Sequence, residues 1–370
     1  MALRFEVEKK FGKSRLGRMI TQRGVVETPN FMPVGSKGAV KGISVPLLKE
    51  AGAQIILCNT FHLHLRPGEK TIEKLGGLHK FSGWEGPILT DSGGFQAFSL
   101  APLKKITEEG IKFASPIDGQ RINLTPEFAI KIQEDLDVDI AMVLDHLPSG
   151  QSSKKEMEIA VKRTTRWAER CKNALQKENI SLFGIVQGGI FEDLREISAI
   201  ELKEIGFDGY AAGGFCVGED KEGFRRVANY TADLLPEEKP RYLMGIGKPQ
   251  DLVEGVLWGY DLFDCVLPTR NARNGQLFTS KGKITIKRAE FKEDPSPLDS
   301  ECNCYTCKNL SKGYLNHLFR VNDPTYVLLA TIHNITFYLN LMKQLREAIK
   351  TETLEEISKK IKENYPENSI

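Results

Sequence analysis

The sequence predicts an α/β protein whose core is a (β/α)8 TIM barrel, with an antiparallel β element before the barrel and a small subdomain inserted late in the chain. Eight short apolar runs alternate with amphipathic helical patterns over roughly 250 residues, which suits a closed barrel. An open doubly wound sheet would usually stop at about five or six strands. Polar residues and glycines come after most of the runs, at the end of the strands where barrel proteins carry their active sites.

The composition is that of a globular protein with a sizeable buried core: 370 residues, 41% of them hydrophobic and 27% charged. The formal net charge is only +2, from 51 basic and 49 acidic residues, so any surface that binds a polyanion must be local. No apolar run approaches the ~20 residues of a membrane span, and the start of the chain lacks the apolar core of a signal peptide. We therefore expect a cytoplasmic protein that does not interact with membranes.

The predicted strands and helices can be assigned to definite ranges of the sequence. The first thirty residues are predicted to form short antiparallel strands, because polar and apolar residues alternate from Arg4 to Val7 and glycines occur at intervals after them. The apolar runs expected to form the barrel strands are 31–34, 55–58, 87–89, 140–144, 182–186, 210–212, 242–244 and 262–266. The helices expected between them are 45–51, 126–136, 154–175, 191–205, 222–235 and 249–258.

Cys302, Cys304 and Cys307 form a C-x-C-x-x-C cluster, so three of the seven cysteines lie within six residues. In a cytoplasmic chain such clustering favours a metal site over disulfides. A histidine can supply a fourth donor, either His333 or His317. Three thiolates and one imidazole suit tetrahedral Zn2+, and a site with four protein ligands is structural because it leaves no position for an activated water.

Two stretches depart from the strand and helix alternation. Residues 97–124 resemble a small β-hairpin more than a helix, and residues 291–333 contain the cysteine cluster. The tail from residue 335 to about 362 has a helical pattern again and ends in a polar terminus. The expected parts are the barrel core with its N-terminal β element at 1–290, a zinc-binding subdomain at 291–333, and a C-terminal helical segment packed on the barrel at 334–370.

Asp91 and Asp264 stand near the ends of two different predicted strands, so a closed barrel would bring them to one mouth. Two carboxylates there can divide the work of glycosyl transfer: one attacks the anomeric carbon and the other moves the proton. A covalent sugar intermediate formed in this way can be handed to a second acceptor. Taken alone, either residue can instead be a turn or cap residue, and the carboxylate pair also fits a carbohydrate glycosidase.

Four motifs resemble those of one enzyme family. They are Thr-Asp-Ser-Gly-Gly-Phe-Gln at 90–96, Gly-Ile-Val-Gln-Gly-Gly at 184–189, Tyr-Leu-Met-Gly-Ile-Gly at 242–247 and Asp-Leu-Phe-Asp-Cys-Val-Leu-Pro-Thr-Arg at 261–270. With the cysteine cluster and His333 after them, they look like the motifs of the tRNA-guanine transglycosylases, also called queuine tRNA-ribosyltransferases. The resemblance runs through nearly the whole chain and is closer to the bacterial homodimeric enzymes than to the archaeal ones, which carry extra C-terminal RNA-binding domains.

The resemblance implies a pentosyltransferase of queuosine biosynthesis or salvage. Such an enzyme replaces guanine at the wobble position of certain tRNA anticodons by a 7-deazaguanine base, without cutting the backbone. By this resemblance Asp264 is the nucleophile that forms a covalent ribosyl-aspartate, and Asp91 is the general acid/base. It also implies a structural zinc bound through His333 rather than His317, and a homodimer.

The resemblance also implies how the substrates bind. A carboxylate can accept hydrogen bonds from the two N–H donors on the guanine edge, an amide can donate to its carbonyl oxygen, and an extruded base needs a flat apolar slot. The residues that would do this are Asp145 for the N–H edge, Gln187 and the Gly214 amide for the carbonyl oxygen, Phe95 and Met244 for the two faces, and Arg270 and Arg273 for the phosphates of the anticodon loop.

The chain departs from the bacterial pattern at three places in the expected base pocket. Phe95 replaces a tyrosine, His146 and Leu147 replace a Glu-Cys pair, and Phe215 replaces a leucine. The incoming base is therefore left as either 7-aminomethyl-7-deazaguanine or the bulkier queuine. An alternative within the same family is a non-catalytic subunit that only binds tRNA, which we would expect to have lost the paired carboxylates.

Overall fold

The computed structural model describes residues 3–99, 105–215 and 217–366, and its sheets confirm the predicted α/β barrel class. In chain order the strands are β1 (Arg4–Phe11), β2 (Ser14–Thr21), β3 (Gly24–Thr28), β4 (Asn30–Pro33), β5 (Ile56–Cys58), β6 (Ile88–Thr90), β7 (Lys105–Ile106), β8 (Ile111–Ala114), β9 (Arg121–Leu124), β10 (Ile140–Met142), β11 (Ser181–Val186), β12 (Gly209–Ala212), β13 (Arg241–Leu243), β14 (Leu262–Cys265), β15 (Gln276–Thr279) and β16 (Gly282–Thr285).

The helices lie between and after these strands. They are α1 (Val45–Glu50), α2 (Thr60–Leu65), α3 (Glu69–Lys74), α4 (Gly77–Ser82), α5 (Gly94–Ser99), α6 (Pro126–Leu136), α7 (Lys154–Ala174), α8 (Glu192–Ile205), α9 (Lys221–Leu234), α10 (Pro249–Leu257), α11 (Leu267–Arg273), α12 (Tyr305–Asn309), α13 (Lys312–Arg320), α14 (Pro324–Thr351) and α15 (Leu354–Asn364). Within the described ranges, no helix is long and apolar enough to cross a membrane.

Eight parallel strands form the barrel in the order β4-β14-β13-β12-β11-β10-β6-β5. A single parallel bridge between Val34 and Leu57 joins the first and last of them. Each strand overlaps one of the eight predicted apolar runs, so the strand count is confirmed. All residues of the barrel strands are buried except the last two of β14, Asp264 and Cys265. Helices cover the outside of a parallel barrel and side chains fill its interior, which explains why these runs are apolar throughout instead of alternating.

The N-terminal element is an antiparallel sheet of β1, β2 and β3, as the sequence predicts. It is anchored to the barrel by a buried ion pair between Arg15 on β2 and Asp261, whose side chains are 2% and 0% exposed. Arg15 also donates to the carbonyl oxygens of Glu237, over 2.6 Å, and Lys239, over 2.9 Å. Asp261 directly precedes β14, so the ion pair lies at the opposite end of that strand from Asp264.

The six predicted amphipathic helices are α1 and α6 to α10, and each end lies within one residue of the prediction. Their starts have physical causes that the sequence displays. Pro126 and Pro249 occupy the first turns of α6 and α10. α7 begins with a capping box, in which Ser153 and Glu156 satisfy each other's backbone N–H groups.

The C-terminal helix differs from its prediction. We expected it from residue 335, but α14 begins at Pro324, because Asp323 accepts a hydrogen bond from the Thr325 amide over 2.8 Å and the proline fits the first turn. The helix therefore includes His333. It ends before Glu352, which has a left-handed φ of 63°, and α15 comes next. The division into parts at residues 290 and 333 stays a prediction, and α14 runs across the second boundary.

The two stretches that were predicted to interrupt the strand and helix alternation, 97–124 and 291–333, also do so in the structure. β7, β8 and β9 form an antiparallel sheet in the stretch predicted as a hairpin, of which residues 100–104 lie outside the described part. The region of the cysteine cluster has a second apolar core of its own, separate from the barrel core. This core contains Leu298, Leu315, Leu318 and Leu329, so α12, α13 and the first turns of α14 pack as a unit around the cysteines.

We predict that Arg15→Ala lowers the free energy of unfolding by about 3–5 kcal/mol, because it leaves the Asp261 carboxylate buried without its counter-ion. Arg18→Ala is the matched control on the same strand. Arg18 pairs with Glu6 and Glu8 at the surface, so its loss should cost less than about 1 kcal/mol. Urea denaturation measures both variants, and equal losses for the two would contradict the anchoring role.

Candidate active site and metal centre

The predicted site residues gather at the carboxyl-terminal ends of the barrel strands. Parallel strands bring those ends to one face of a barrel, so residues far apart in the chain become neighbours. The residues concerned are Asp91 directly after β6, Asp145 after β10, Gln187 directly after β11, Gly214 after β12, Met244 directly after β13 and Asp264 near the end of β14.

Four donors hold the Asp91 carboxylate. Its Oδ1 accepts from the backbone amides of Thr60, over 2.9 Å, and Gly93, over 3.2 Å. Its Oδ2 accepts from the side-chain amides of Asn59 and Gln96, the latter over 2.8 Å. Such a set of donors fixes the orientation of the carboxylate at the mouth of the barrel.

Asp264 is held from one side only. Its Oδ1 accepts from the Tyr242 hydroxyl over 2.6 Å and from the Gly245 amide over 2.8 Å. Its Oδ2 accepts no hydrogen bond from any described residue. Burial raises the pKa of Asp264, and the two donors oppose that shift.

The charge of the Asp264 carboxylate affects the pKa of Asp91. Burial raises the pKa of Asp91 to about 6, the four hydrogen bonds oppose the shift, and the negative charge of Asp264 adds to it. An acid with a pKa near neutrality can both give and take a proton under physiological conditions. The structure thus brings together the two residues that the sequence placed on separate strands, with one carboxylate able to move protons and one with a free oxygen.

Asp145 and Gln187 form a buried pair beside Asp91. The Gln187 Nε2 donates to Asp145 Oδ2 over 2.7 Å. Burial raises the pKa of Asp145 to about 6, with Gln187 opposing the shift and the charge of Asp91 adding to it. The Gln187 Oε1 is buried and has no partner among the described residues. A buried polar atom of this kind marks a place where a ligand or a water completes the hydrogen bonding.

Gly214 is required next to this pair for steric reasons. Its φ is +78°, and a Cβ at this position would come within 2.5 Å of Gln187 Oε1. Any other residue would therefore clash with the amide and strain the backbone. The absence of a side chain lets the chain after β12 approach the Asp145–Gln187 pair closely.

Helix α7 fixes the residues on either side of Asp145. The Leu144 amide donates to Cys171 Sγ over 3.3 Å, and the His146 amide donates to Thr164 Oγ1 over 3.0 Å. His146 Nδ1 accepts from Arg163 over 3.1 Å. Burial, and then the charge of Arg163, lower the pKa of His146 to about 4, so the ring is neutral and can accept. The sequence assigned His146 no role, and in the structure it helps to hold the backbone that carries Asp145.

Phe95 and Met244 lie at the same mouth. Phe95, on α5, is 47% exposed, and Met244 is half-buried. Their stacking on the two faces of a base stays a prediction. Leu147 and Phe215, the departures from the bacterial pattern, are 8% and 7% exposed, so both are largely enclosed by protein.

A buried arginine that no sequence motif singles out joins two of the loops at the mouth. Arg195 on α8 donates to the carbonyl oxygens of Gly189, Val186 and Gly213 over 2.8–3.0 Å. Its guanidinium also lies over the Phe215 ring, 4.3 Å from the centroid. These bonds tie the loop after β11 to the loop after β12, which explains why Phe215 faces inward.

Other residues that the sequence did not select are Asn59, Gln96 and Tyr242, which hold the two carboxylates. A signal for them existed, because Asn59 comes directly after a strand run and the other two lie inside the motifs at 90–96 and 242–247. Which carboxylate each one contacts is a tertiary property.

The metal cluster consists of Cys302, Cys304, Cys307 and His333, whose ligand atoms all lie within 4.8 Å of one another. His333 Nδ1 is 3.2 Å from Cys307 Sγ and 3.8 Å from Cys304 Sγ. Tetrahedral zinc, with Zn–S of ~2.3 Å and Zn–N of ~2.0 Å, places sulfur and nitrogen about 3.5 Å apart, so the donor set fits a metal ion. His317 is not in the cluster, and the fourth donor is therefore His333.

The second nitrogen of His333 is also used. Its Nε2 lies 2.7 Å from the Phe278 carbonyl oxygen, to which it donates. A proton on Nε2 leaves the lone pair of Nδ1 facing the cysteine sulfurs, which is the tautomer that a metal ligand needs.

Arg270 and Arg273 lie on α11, directly after β14. Arg273 is half-buried and donates to the Thr269 carbonyl oxygen over 2.9 Å. The Arg270 side chain is exposed and makes no hydrogen bond or ion pair with the described residues. Their contact with RNA stays a prediction.

The fold and the site define a class of protein: a (β/α)8 barrel enzyme with two interacting carboxylates at its mouth, suited to the transfer of a glycosyl group. The family model described as queuine tRNA-ribosyltransferase matches residues 10–367. The chain belongs to this family and is a pentosyltransferase, which confirms the resemblance that the motifs indicated.

Relatives of known name are similar over almost their whole lengths. A queuine tRNA-ribosyltransferase of Idiomarina loihiensis is 52% identical over 359 residues, which cover 97% of this chain and 96% of the relative. One from Francisella tularensis subsp. novicida is 52% identical over 363 residues, covering 98% and 99%. One from Vibrio cholerae is 54% identical over 351 residues, covering 94% and 93%.

We predict that Asp145→Asn stabilises the protein at pH 8. An unfolded aspartate has a pKa of about 4, whereas burial raises that of Asp145 to about 6. The raised pKa favours folding below about pH 4, and this contribution is lost as the pH rises through about 6. Asparagine keeps the acceptor for Gln187 without a charge, so the free energy of unfolding should rise by about 2 kcal/mol at pH 8 and change little near pH 4.

Urea denaturation at the two pH values tests this prediction. Asp193→Asn, at an exposed position on α8, is the control and should change stability by less than about 0.5 kcal/mol at either pH. A loss of stability in Asp145→Asn at pH 8 would show that the ionised carboxylate is better accommodated than its burial indicates.

Proposed function

We propose that this pentosyltransferase exchanges the wobble guanine of tRNA anticodons for a 7-deazaguanine base, by double displacement through a covalent ribosyl-aspartate, in queuosine biosynthesis or salvage. The observation that carries the proposal is the Asp91 and Asp264 pair at the barrel mouth, with the buried Asp145–Gln187 pair beside it. Membership of the family supports it.

In the first step Asp264 attacks the anomeric carbon of the ribose. Its Oδ2 is free, while Tyr242 and Gly245 hold Oδ1 and orient the carboxylate. The glycosidic C–N bond breaks, a C–O ester bond forms, and Asp91 gives its proton to the departing guanine. The pKa of Asp91, about 6, suits a group that gives this proton and later takes one back.

In the second step the incoming base displaces Asp264 from the same carbon. The base loses its N–H proton to Asp91, a new C–N bond forms, and the ester bond to Asp264 breaks. The carboxylates thus return to their starting states, and the RNA backbone is not cut. Two successive displacements at one carbon also retain the configuration of the ribose.

Asp145 and Gln187 would recognise the base in both steps. An ionised Asp145 accepts from the N–H edge of guanine, and the Gln187 and Gly214 amides donate to its carbonyl oxygen. Phe95 and Met244 would stack on its two faces. A 7-deazaguanine keeps this edge and differs at the 7-position, so the incoming base is 7-aminomethyl-7-deazaguanine or queuine. Competition of the two bases against labelled guanine identifies which one the enzyme takes.

The RNA would be bound next to the nucleophile. Arg270 and Arg273 lie on the helix directly after Asp264, and the free guanidinium of Arg270 can reach a phosphate of the anticodon loop. Arg270→Gln should raise the KM for tRNA and leave the KM for free guanine unchanged.

We propose that the metal held by the three cysteines and His333 is zinc. Three thiolates and one imidazole are its preferred donors, and four protein ligands make the site structural. When bound, the ion cross-links α12 to α14 and takes no direct part in breaking the glycosidic bond.

We also propose a homodimer, on the basis of the family resemblance. Three large side chains of the metal-binding region are exposed: Tyr305 by 50%, Tyr314 by 43% and Val321 by 56%. Single exposed apolar side chains also occur on monomers, so the proposal rests on the resemblance and not on these three residues. A monomeric mass in sedimentation equilibrium at micromolar concentration would contradict the proposal.

A non-catalytic tRNA-binding subunit is the alternative function. It has no need of two carboxylates, whereas here both are present and hydrogen-bonded in the barrel mouth. Binding of tRNA without exchange by the pure protein would favour this alternative. A carbohydrate glycosidase rests on the carboxylates alone, and release of sugar from a glycoside panel would favour it.

We predict that Asp264→Asn lowers the rate of exchange by about 10³-fold or more, because asparagine keeps the size of the side chain but lacks a nucleophilic carboxylate. Incorporation of labelled guanine into a tRNA with a wobble guanine measures the rate. The control is the affinity for that tRNA, which should stay within about twofold. Turnover at the wild-type rate would defeat the proposed mechanism.

We predict that Cys304→Ser loses stoichiometric zinc and lowers the melting temperature, because a serine hydroxyl is a poor zinc ligand. Elemental analysis and thermal unfolding measure the two effects. Cys58→Ala is the matched control, since Cys58 is also buried but lies outside the cluster, and it should keep its zinc. One zinc per chain in Cys304→Ser would rule out the four-ligand site.

A further inference from the structure

Two consecutive residues of α14, His333 and Asn334, are fully buried and grip the same residue of β15. His333 Nε2 donates to the Phe278 carbonyl oxygen over 2.7 Å, and the Phe278 amide donates to Asn334 Oδ1 over 3.1 Å. Among the described strands β15 pairs only with β16, so these groups lie on an edge of a two-stranded sheet. The two side chains therefore complete the hydrogen bonding of a buried strand edge, which would otherwise be unsatisfied.

Asn334 makes two more hydrogen bonds that His333 does not share. Its Nδ2 donates to the Pro268 carbonyl oxygen over 2.9 Å and to the Gln276 carbonyl oxygen over 3.1 Å. One oxygen that accepts from an amide and one nitrogen that donates to two carbonyl groups fix the orientation of the side chain, because the flipped amide would face every partner with the wrong atom. Both of its donors and its acceptor are thus used, inside the protein.

The partners of Asn334 lie at both ends of one segment. Pro268 is in the first turn of α11, the helix directly after Asp264, and Gln276 begins β15 just after that helix ends. Arg270 and Arg273 lie between the two contacts. The buried Asn334 side chain is therefore bonded both to the first turn of α11 and to the residue that begins β15 after it.

We propose that Asn334 is a positioning residue that couples the metal centre to α11, and so sets the placement of the RNA-binding arginines next to Asp264. The inference rests on the proposed function, because it assigns Arg270 and Arg273 to the RNA. Under this proposal the metal-binding region contributes to substrate binding by positioning α11. The ligand His333 and the positioning residue Asn334 are neighbours on one turn of α14, and both bond to β15.

The coupling has a direct physical path. A metal ion bound at the cysteine cluster would fix the ring of His333, whose other nitrogen donates to the Phe278 carbonyl oxygen. The amide side of the same residue is held by Asn334, and the remaining bonds of Asn334 reach both ends of α11. A displacement of β15 would therefore move both His333 and the contacts of Asn334 with α11. Metal binding at the cysteine cluster and RNA binding next to α11 should then influence each other.

The first test compares Asn334→Ala with Thr336→Val. Thr336 is buried on the same helix, and its hydroxyl donates to the Ile332 carbonyl oxygen within α14, so this control loses a buried hydrogen bond but none to α11. For Asn334→Ala we expect kcat/KM for a stem-loop RNA with a wobble guanine to fall about tenfold or more, with the KM for free guanine within about twofold of the wild type. Zinc content should stay at one per chain, because the four ligands remain.

The second test measures the coupling without turnover. In the wild type, the stem-loop RNA should slow the release of zinc to a colorimetric chelator, and in Asn334→Ala it should no longer do so. Asn334→Asp is the second variant if the alanine variant unfolds: it keeps the volume and the acceptor but sets a carboxylate oxygen against two carbonyl groups.

The outcomes separate the inference from the proposed function. Wild-type RNA kinetics in the Asn334 variants, or equal slowing of zinc release by RNA in wild type and variant, would overturn the positioning role while leaving base exchange in place. Equal losses in Asn334→Ala and Thr336→Val would also overturn it, since they would reflect general loosening of α14. If the wild type itself exchanges no guanine, the proposed function fails and the inference fails with it.

Discussion

The parallel register of the barrel strands brings the candidate active-site side chains to one face of the protein. β14 pairs with β13 on one side and β4 on the other, and this closure brings the end of β14 to the same face as the ends of β6, β10 and β11. Asp264 and Cys265 are the only residues of the barrel strands that are half-buried and not fully buried, so the core opens towards solvent beside the Asp264 carboxylate. At the opposite end of β14, Asp261 forms the buried ion pair with Arg15. One end of the strand therefore anchors the N-terminal sheet, and the other end carries the Asp264 carboxylate.

Burial of carboxylates at the barrel mouth disfavours their charged forms. The hydrogen bonds and charges around each carboxylate then determine its pKa and which of its oxygens stays free. Asp91 accepts four hydrogen bonds and its pKa is still raised to about 6, because burial, with the charge of Asp264 added to it, outweighs them. Asp264 accepts two on one oxygen, which leaves the other free. Burial, hydrogen bonding and the neighbouring charge thus act on both carboxylates in different proportions, and this difference is what the proposed division between proton transfer and attack requires.

Helices outside the barrel hold the strand ends at the candidate site. α7 bonds to the residues on both sides of Asp145, α8 ties two loops together through Arg195, and α14 holds the start of α11 through Asn334. In each case a long-range hydrogen bond replaces the sheet contact that the backbone loses when it leaves the barrel. The region of the cysteine cluster is held in the same way, because α14 carries His333 of the cluster and, on the adjacent residue, Asn334, which bonds to the segment after Asp264.

Local patterns in the sequence were enough to define the barrel strands and six of the helices. Apolar runs of strand length, amphipathic periods and proline or serine caps placed eight strands and six helices, because these are properties of neighbouring residues. The sequence also displayed the cysteine cluster and the motif residues Asp91, Asp145, Gln187 and Asp264. Spacing alone left His333 and His317 open, the resemblance favoured His333, and the cluster geometry agrees with it. The three-dimensional arrangement was needed to show that α14 starts before this histidine, and that Asn59, Tyr242, Arg195 and Asn334 hold the site. Those features depend on contacts between residues distant in the chain, which periodicity and spacing do not encode.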